Sequence, residues 1–245
     1  MLIRNRKTFG MGAVFAVSFI TVLLLIFSPV FGGKNGLRFA DDSFNRLSKG
    51  SSYFIPKVSK SNEQFIGKAF SVTIKAGNLE DKPGEAQKRA QSIANVFTTA
   101  GAAASVSGSS VKLEGDLGKV LASALQDADA MFKNDGAAIR SKYGTDDEKK
   151  SLRQWHTSLT KVHKQLQKQK MITESKIVSD VLKKALEPAY NFYTIEGEKV
   201  VDHAGMMSGL LVFYVAYTMW WGYAIFYMFD GLGLSMKKAK VKKEA

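Results

Sequence analysis

Cysteine is absent from the 245 residues, and histidine (three) and proline (four) are scarce. Without cysteine, the chain can form no disulfide and has no thiolate for iron–sulfur clusters, c-type haem attachment or cysteine catalysis. The sequence also lacks a glycine-rich phosphate loop, a G-x-S-x-G nucleophile elbow and an HExxH zinc motif. These gaps remove many enzyme classes, and we expect a protein that is not an enzyme and holds no cofactor.

Charged side chains are missing from two long stretches, residues 9–31 and residues 205–229. Each could cross a hydrocarbon core of roughly 30 Å as a helix, and a charge at the centre of such a helix costs about 2.5 to 3.5 kcal/mol. The first stretch exceeds the roughly 7 to 15 apolar residues of a signal peptide, and Pro29 makes a poor cleavage site. We therefore predict two transmembrane helices, residues 9–31 and 205–230, with the first one uncleaved.

Basic residues flank both apolar stretches and set the predicted orientation. Arg4, Arg6 and Lys7 precede the first stretch, and a lysine-rich tail follows the second. Because short Lys- and Arg-rich segments stay in the cytoplasm, we predict a bacterial inner-membrane protein with both termini cytoplasmic and the main domain extracytoplasmic. A lysine can gain about 1 kcal/mol beside anionic lipid. The chain has a net charge of +13. We expect its C-terminal lysines to bind anionic lipid head groups and not nucleic acid. These lysines are Lys237, Lys238, Lys240, Lys242 and Lys243.

The middle of the chain starts with local signals for a strand and a helix. Apolar and polar residues alternate over residues 70–74, which predicts a half-buried strand. Apolar residues recur every three or four positions over residues 86–97, which predicts a helix. Asp81 and Pro83 are typical of its start, and Gly101 of the position after its end.

A hairpin and a second helix follow. Alternation resumes over residues 102–113, with Gly108 and Ser109 as a two-residue turn. Asp116 is a typical N-cap for the amphipathic stretch 117–132. The order strand, helix, hairpin, helix matches most of a split β-α-β, ferredoxin-like unit with a small antiparallel sheet. The predicted fold class is thus an integral membrane α+β protein, with a long helical hairpin added.

That hairpin begins near residue 146. Five apolar residues at three- and four-residue spacing form a seam that seeks a partner, and residues 174–186 form the facing helix, which Pro188 ends or kinks. We predict that this arm contacts a partner, while the sequence leaves open whether it projects or folds back. Residues 192–201 are either a short hairpin or a further strand. The seam residues are Leu152, Trp155, Leu159, Val162 and Leu166.

Small and aromatic residues in the apolar stretches predict close helix packing. Gly205 and Gly209 stand four apart, as small-xxx-small pairs do in membrane helices. Two tryptophans lie near the middle of the second stretch and not at an interface, which indicates burial against other helices or against a bound lipid or quinone. Pairing of the two stretches with each other explains part of this pattern. The predicted packing residues are Gly12, Ala16, Gly205, Gly209, Ala216, Trp220, Trp221 and Gly222.

Polar clusters give weak signals for a site. His156 and His163 are seven residues apart on one helix face, about 10 Å, which is too far to grip one ion. His203, beside Asp202, could contact an interfacial haem or quinone, although a polar pair marking the membrane surface is more common. The acidic residues Asp127, Asp129 and Asp135 do not follow a calcium loop, and Asp135 is expected to end a helix.

These patterns favour a protein that works by contact. We expect a non-catalytic accessory or scaffold subunit of a larger envelope or respiratory membrane complex, bound to other membrane-protein subunits. One alternative is a homo-oligomeric envelope organiser, because the order of first span, α+β domain with long helices and second span resembles the topology of polysaccharide chain-length regulators. Another is a haem- or quinone-contacting electron-transfer subunit. The predicted divisions are a cytoplasmic tail (1–8), a transmembrane helix (9–31), a linker (32–64), an extracytoplasmic α+β domain (65–144), a helical hairpin with a membrane-proximal segment (145–204), a second transmembrane helix (205–230) and a basic cytoplasmic tail (231–245).

Overall fold

The computed structural model describes residues 3–77 and 84–234, and these form a mostly helical protein with one small sheet. The chain divides into two compact units. The larger unit is Ser48–Gly197, and the smaller unit combines Met1–Leu47 with Glu198–Ala245. The residues Asp81, Pro83, Lys237, Lys238, Lys240, Lys242 and Lys243, singled out above, lie outside the described residues.

The described residues form ten α-helices and three strands, and all three strands lie in the larger unit. The helices are α1 Arg6–Phe27, α2 Gly36–Ser51, α3 Ile55–Asn62, α4 Glu85–Thr99, α5 Leu117–Phe132, α6 Gly136–Tyr143, α7 Glu148–Lys168, α8 Ile172–Val181, α9 Glu187–Asn191 and α10 Ala204–Leu232. Short 3₁₀ turns occupy Glu63–Phe65 and Val200–His203, and a π-helical turn occupies Leu182–Leu186. The strands are β1 Ala69–Lys75, β2 Ala103–Ser107 and β3 Ser110–Asp116.

The three strands form one antiparallel sheet in the order β1-β3-β2. β3 lies in the middle, where Leu113 pairs with Val72 on one side and with Ala104 on the other. Gly108, in the predicted two-residue turn, has a φ of 59°, which glycine adopts without steric cost. Helix α4 links β1 to β2, which lie on either side of β3, and the predicted small antiparallel sheet is confirmed.

Helix α7 lies beside β1, where a ferredoxin-like unit would have its fourth strand. Lys161 Nζ donates to the carbonyl oxygen of Lys75 (2.6 Å), and Gln169 Nε2 donates to that of Ser71 (2.9 Å). These side chains satisfy edge carbonyls that a neighbouring strand would otherwise pair. No fourth strand occurs in residues 3–77 and 84–234. Residues 192–201 form neither a hairpin nor a strand, and instead turn after α9 and enter a 3₁₀ helix.

Helix caps and strand alternation follow the sequence signals closely. β1 buries alternate residues, and Asp116 accepts a hydrogen bond from the backbone N–H of Lys119 (3.1 Å). Gly101 follows α4 with a φ of 84°. Asp135 corrects the expectation that it ends a helix: α5 stops at Phe132, and Asp135 caps α6 by accepting from the N–H of Ala138 (3.1 Å).

The segment predicted as a linker, residues 32–64, is mostly helical. α2 begins after Asn35, whose side chain accepts from the N–H of Arg38 (2.9 Å). Pro56 lies in the first turn of α3, where the missing N–H costs nothing. α3 then buries Ile55 and Val58 in the core of the larger unit.

The predicted partner-binding arm is part of the same core. Helix α7 turns at Lys170, with a φ of 61°, into α8, and the hairpin closes as predicted. The chain continues through the π-helical turn and past Pro188, and the helix ends at Asn191. All five seam residues are fully or almost fully buried, so their surface is covered by this chain and is not open to a partner. They are Leu152, Trp155, Leu159, Val162 and Leu166.

Two helices are long and apolar enough to cross a membrane, Arg6–Phe27 and Val200–Leu232, the latter combining a 3₁₀ turn with α10. Most of their side chains are exposed. Both belong to the smaller unit.

Candidate functional site

The two apolar helices pack against each other through glycines. A Cβ added to Gly12 would lie 2.6 Å from the backbone N of Met228, and one added to Gly231 would lie 2.6 Å from Phe9. Any larger residue at either position would push the backbones apart. The carbonyl oxygen of Gly231 also accepts from the N–H groups of Arg4 and Asn5 (2.9 Å each). The pair is therefore joined at the N-terminal end of α1 and the C-terminal end of α10.

Aromatic rings fill the middle of the same helix pair. The ring of Phe19 stacks on Tyr217, with centroids 4.1 Å apart, and lies 4.7 Å from the ring of Trp221. The predicted burial of mid-helix aromatics is thus met in part by this chain itself. Trp220 is half-buried, and its Nε1 is enclosed without a hydrogen-bond acceptor among the described residues.

The predicted packing residues divide into two groups. Gly12 lies against α10, and Ala16 is half-buried. The small ones on α10 are exposed: Ala216 is exposed to solvent, and a Cβ at Gly205, Gly209 or Gly222 would meet no atom within 4 Å.

Most of the exposed small residues share one side of α10 with larger apolar ones. At 100° per residue, Gly205, Gly209 and Ala216 fall on one side of the helix, and Gly222 falls on another. Four larger exposed residues continue that side at alternating spacings of three and four, the pattern of a helix-packing seam. We call this set the open face of α10. It consists of Gly205, Gly209, Val212, Ala216, Met219, Tyr223 and Phe226.

The glycine pair of the open face is evident from the sequence, but the length of this face is not. The sequence contains the alternating spacing of three and four residues. In a helix that is apolar all round, however, every side shows such a spacing, so the sequence does not single out one side. Only the structure shows which small residues α1 already uses. Gly231 and Ala224 lie against α1, whereas Gly205, Gly209 and Ala216 do not.

His203 is held by acidic and basic neighbours of the smaller unit. Its Nε2 lies 3.0 Å from Oε2 of Glu198, and Oε1 of the same carboxylate accepts from Arg46 (3.0 Å). A ring nitrogen of His203 is thus engaged by a carboxylate. This contact gives no support to a haem or quinone at His203.

The three aspartates of the acidic set are separated in the larger unit. Asp127 is buried and accepts from Trp155 Nε1 (2.8 Å), Lys142 Nζ (2.5 Å) and the Tyr143 hydroxyl. Burial first, and then the Asp127 carboxylate, raise the pKa of Tyr143. Asp129 contacts Tyr53 and Lys133 instead, and Asp135 caps α6. Asp127 therefore ties α5, α6 and α7 together and does not face a ligand.

His156 and His163 contact groups of this chain. His156 Nε2 lies 3.2 Å from Oε1 of Glu187, and His163 Nδ1 lies 2.8 Å from the backbone oxygen of Ser175. His156 lines a small cavity of about 260 Å³ over Leu152 and Leu186. Within residues 3–77 and 84–234, no three His, Asp or Glu side chains are grouped so that they could hold a metal ion.

The start of α7 carries a strongly perturbed carboxyl group. Glu148 accepts from the Tyr193 hydroxyl (2.6 Å) and from Arg140 (2.9 Å). These hydrogen bonds, with that of Tyr193 the larger, lower the pKa of Glu148 to about 2. The same contact raises the pKa of Tyr193. The three side chains join α6, α7 and the segment after α9.

Comparison of the chain with protein-family models, with curated proteins and with solved structures finds no match.

Proposed function

We propose that the chain is a non-catalytic, membrane-anchored accessory or scaffold subunit of a larger envelope or respiratory membrane complex. In this proposal α1 and α10 cross the membrane as a pair, and α10 offers a second side to a helix of another subunit. The larger unit lies outside the cytoplasm.

The open face of α10 carries this proposal. In lipid, two helices gain little from apolar burial, because lipid tails are as apolar as leucine, and small residues mark the places where backbones approach closely. α1 already uses Gly231 and Ala224. Gly205, Gly209 and Ala216 lie on another side, in open space. A second helix seated there would explain them.

Tyr223 adds a polar argument for the same side. It lies within α10 at about 7 Å along the axis from the helix midpoint, well inside a hydrocarbon core of roughly 30 Å. Its ring stacks on Tyr227, with centroids 6.2 Å apart. A hydroxyl at that depth gains from an acceptor, and a neighbouring subunit can supply one where lipid tails cannot.

The orientation and lipid contacts belong to the same proposal. Two groups of basic residues support a cytoplasmic location for both termini: Arg4, Arg6 and Lys7 before and in the first turn of α1, and the lysines of residues 237–243. The tail lysines would bind anionic lipid head groups by charge. Such lipid contacts would hold the C-terminal tail at the membrane surface without a partner protein.

Isolation from the native membrane tests the subunit role. The tagged chain is extracted in mild detergent, and its native mass and co-purifying proteins are determined. We expect a stable set of other membrane subunits. The double variant Gly209→Ile with Ala216→Ile should lose them, because branched side chains fill the open face.

Gly222→Ile is the matched control, since Gly222 is exposed on a different side of α10 and should retain the partners. A single-species ring of many copies would replace the accessory role with that of a homo-oligomeric organiser. A monomer that loses nothing on substitution of the open face would contradict the proposal.

A further inference from the structure

A lysine-lined groove runs between the edge strand β1 and helix α7 in the larger unit. Its volume is about 830 Å³, and it is open to solvent. Lys75 comes from β1, and Lys161, Lys164 and Lys168 come from one side of α7. We call this the lysine groove. It owes its shape to α7 lying where a further strand would otherwise pair with β1.

The groove is basic over its described length. Its described lining residues include these lysines and no Asp, Glu or aromatic residue. The ammonium group of Lys161 is held in place by its hydrogen bond to the carbonyl oxygen of Lys75. Lys164 and Lys168 are exposed.

A second hollow continues the same side of α7. Lys150 and Gln154 line a depression of about 220 Å³ together with Ser92 and Asn95 of α4. At 100° per residue, Lys150, Gln154, Lys161 and Lys168 share one side of the helix. From residue 150 to residue 168 this side extends about 27 Å at 1.5 Å per residue. The arrangement suits a linear ligand more than a compact one.

The lining chemistry selects among negatively charged polymers. Single-stranded nucleic acid is held by aromatic side chains on which bases stack, and the described lining of the lysine groove has none. The second hollow includes Tyr143, but its hydroxyl is bonded to the buried Asp127. Protein interfaces have an apolar centre depleted of lysine, whereas four of the described lining residues of this groove are lysines. Gln165, Gln167 and the hydroxyls of Thr73 and Ser110 can bond to the hydroxyls of a sugar. We propose that the lysine groove binds an acidic polysaccharide, with lysines on its carboxylates and amides on its hydroxyls.

This inference goes beyond the proposed membrane role and does not depend on it, because every residue of the groove belongs to the larger unit. Failure of the anchor or of the open face would leave the groove intact. Failure of polysaccharide binding would leave the subunit proposal intact.

The test is a binding titration of the full chain in nanodiscs of uncharged lipid, using an oligogalacturonate of about ten sugars at low salt. A neutral malto-oligosaccharide of equal length and a single-stranded oligonucleotide of equal charge serve as the other ligands. We expect the acidic oligosaccharide to bind most tightly. Its affinity should fall as salt is raised from about 50 to about 300 mM, since exposed charges are screened.

The double variant Lys164→Glu with Lys168→Glu should lower that affinity about tenfold or more, because two attractions become repulsions. Lys57→Glu with Lys60→Glu makes the same charge change on exposed residues of α3 and should keep the affinity within about twofold. Folding of each variant is checked in a Ser158→Cys background, since Ser158 is fully buried and a cysteine there reacts only when the core opens.

Three results would overturn the inference. One is an absence of binding by the natural chain, and another is an equal loss in both double variants, which would show only an effect of net charge. The third is tighter binding of the oligonucleotide through the same lysines. That outcome would assign the groove to nucleic acid.

Discussion

Asp127 shows how a single residue holds three helices of the larger unit in place. Its buried carboxylate is bonded by Lys142, Tyr143 and Trp155, so removing it leaves a cation and two hydrogen-bond donors without a partner. Breaking a buried ion pair from one side costs about 3 to 5 kcal/mol. We expect Asp127→Ala to lower the free energy of unfolding by about that amount, as measured by urea-dependent labelling of a Ser158→Cys reporter.

Asp129→Ala provides the matched comparison on the same helix. Asp129 contacts Lys133 and Tyr53 but is partly exposed, so its loss should cost about 1 kcal/mol or less. Equal effects of the two substitutions would contradict the structural role given to Asp127.

Glu148 should make the free energy of unfolding depend on pH. Its folded-state pKa of about 2 lies below the ordinary value of 4.5, so its contribution to stability is complete above about pH 4.5 and is lost as the pH falls towards 2. Tyr193→Phe removes the largest cause of this lowering, and the folded-state pKa then moves back up. We expect the variant to lose less unfolding free energy than the natural chain between pH 4.5 and 2.

Urea unfolding followed by circular dichroism at each pH measures this slope. Tyr190→Phe is the control, because the Tyr190 hydroxyl contacts Arg153 and not Glu148. An unchanged slope in Tyr193→Phe would show that the hydroxyl does not hold the Glu148 pKa low.

At the scale of elements, the sequence predicted those whose signal is local. Alternation over residues 70–74, the turn at Gly108 and the cap at Asp116 each depend on a few neighbouring residues, and all three are confirmed. Helix α2 also has a local signal, although no helix was predicted there. Leu37, Ala40, Phe44 and Leu47 recur every three or four residues after the cap Asn35.

Other features depend on what packs against an element, and periodicity does not contain that information. The seam of α7 predicts an apolar partner equally well whether the partner is another chain or this one. In the structure that partner includes α4, where the ring of Phe97 lies 5.1 Å from that of Trp155. The lysine groove was missed for the same reason, since Lys75 and Lys161 are far apart in sequence.

The pairing of α1 with α10 carries the element-scale prediction. Gly12→Val places branched carbons where Met228 already lies, and overpacking of this kind costs about 1 to 3 kcal/mol. We expect the variant to unfold at a lower fraction of SDS than the natural chain. Tryptophan fluorescence during a titration with SDS measures this. Gly10→Val should be neutral, because nothing lies within 4 Å of a Cβ at Gly10. Equal behaviour of both variants would contradict the observed pairing.

At the scale of the whole molecule, both chain ends contribute to one unit and the middle forms the other. The apolar stretches at residues 9–31 and 205–230 each match a helix of this first unit that is long enough to span a bilayer. The composition of the apolar stretches does not show which small residues pack between α1 and α10 and which belong to the open face. The proposed function depends on that distinction.

The most direct test of the account is the position of the two ends and the middle relative to the membrane. The chain has no cysteine, so single cysteines introduced as Ser109→Cys in the β2–β3 turn and Ser235→Cys after α10 report without background. In sealed cells or vesicles, an impermeant maleimide should label position 109 from outside, and position 235 only after the inner membrane is opened. Labelling of both positions from the same side, or release of the protein from membranes by alkaline carbonate, would contradict a two-helix anchor with an extracytoplasmic domain.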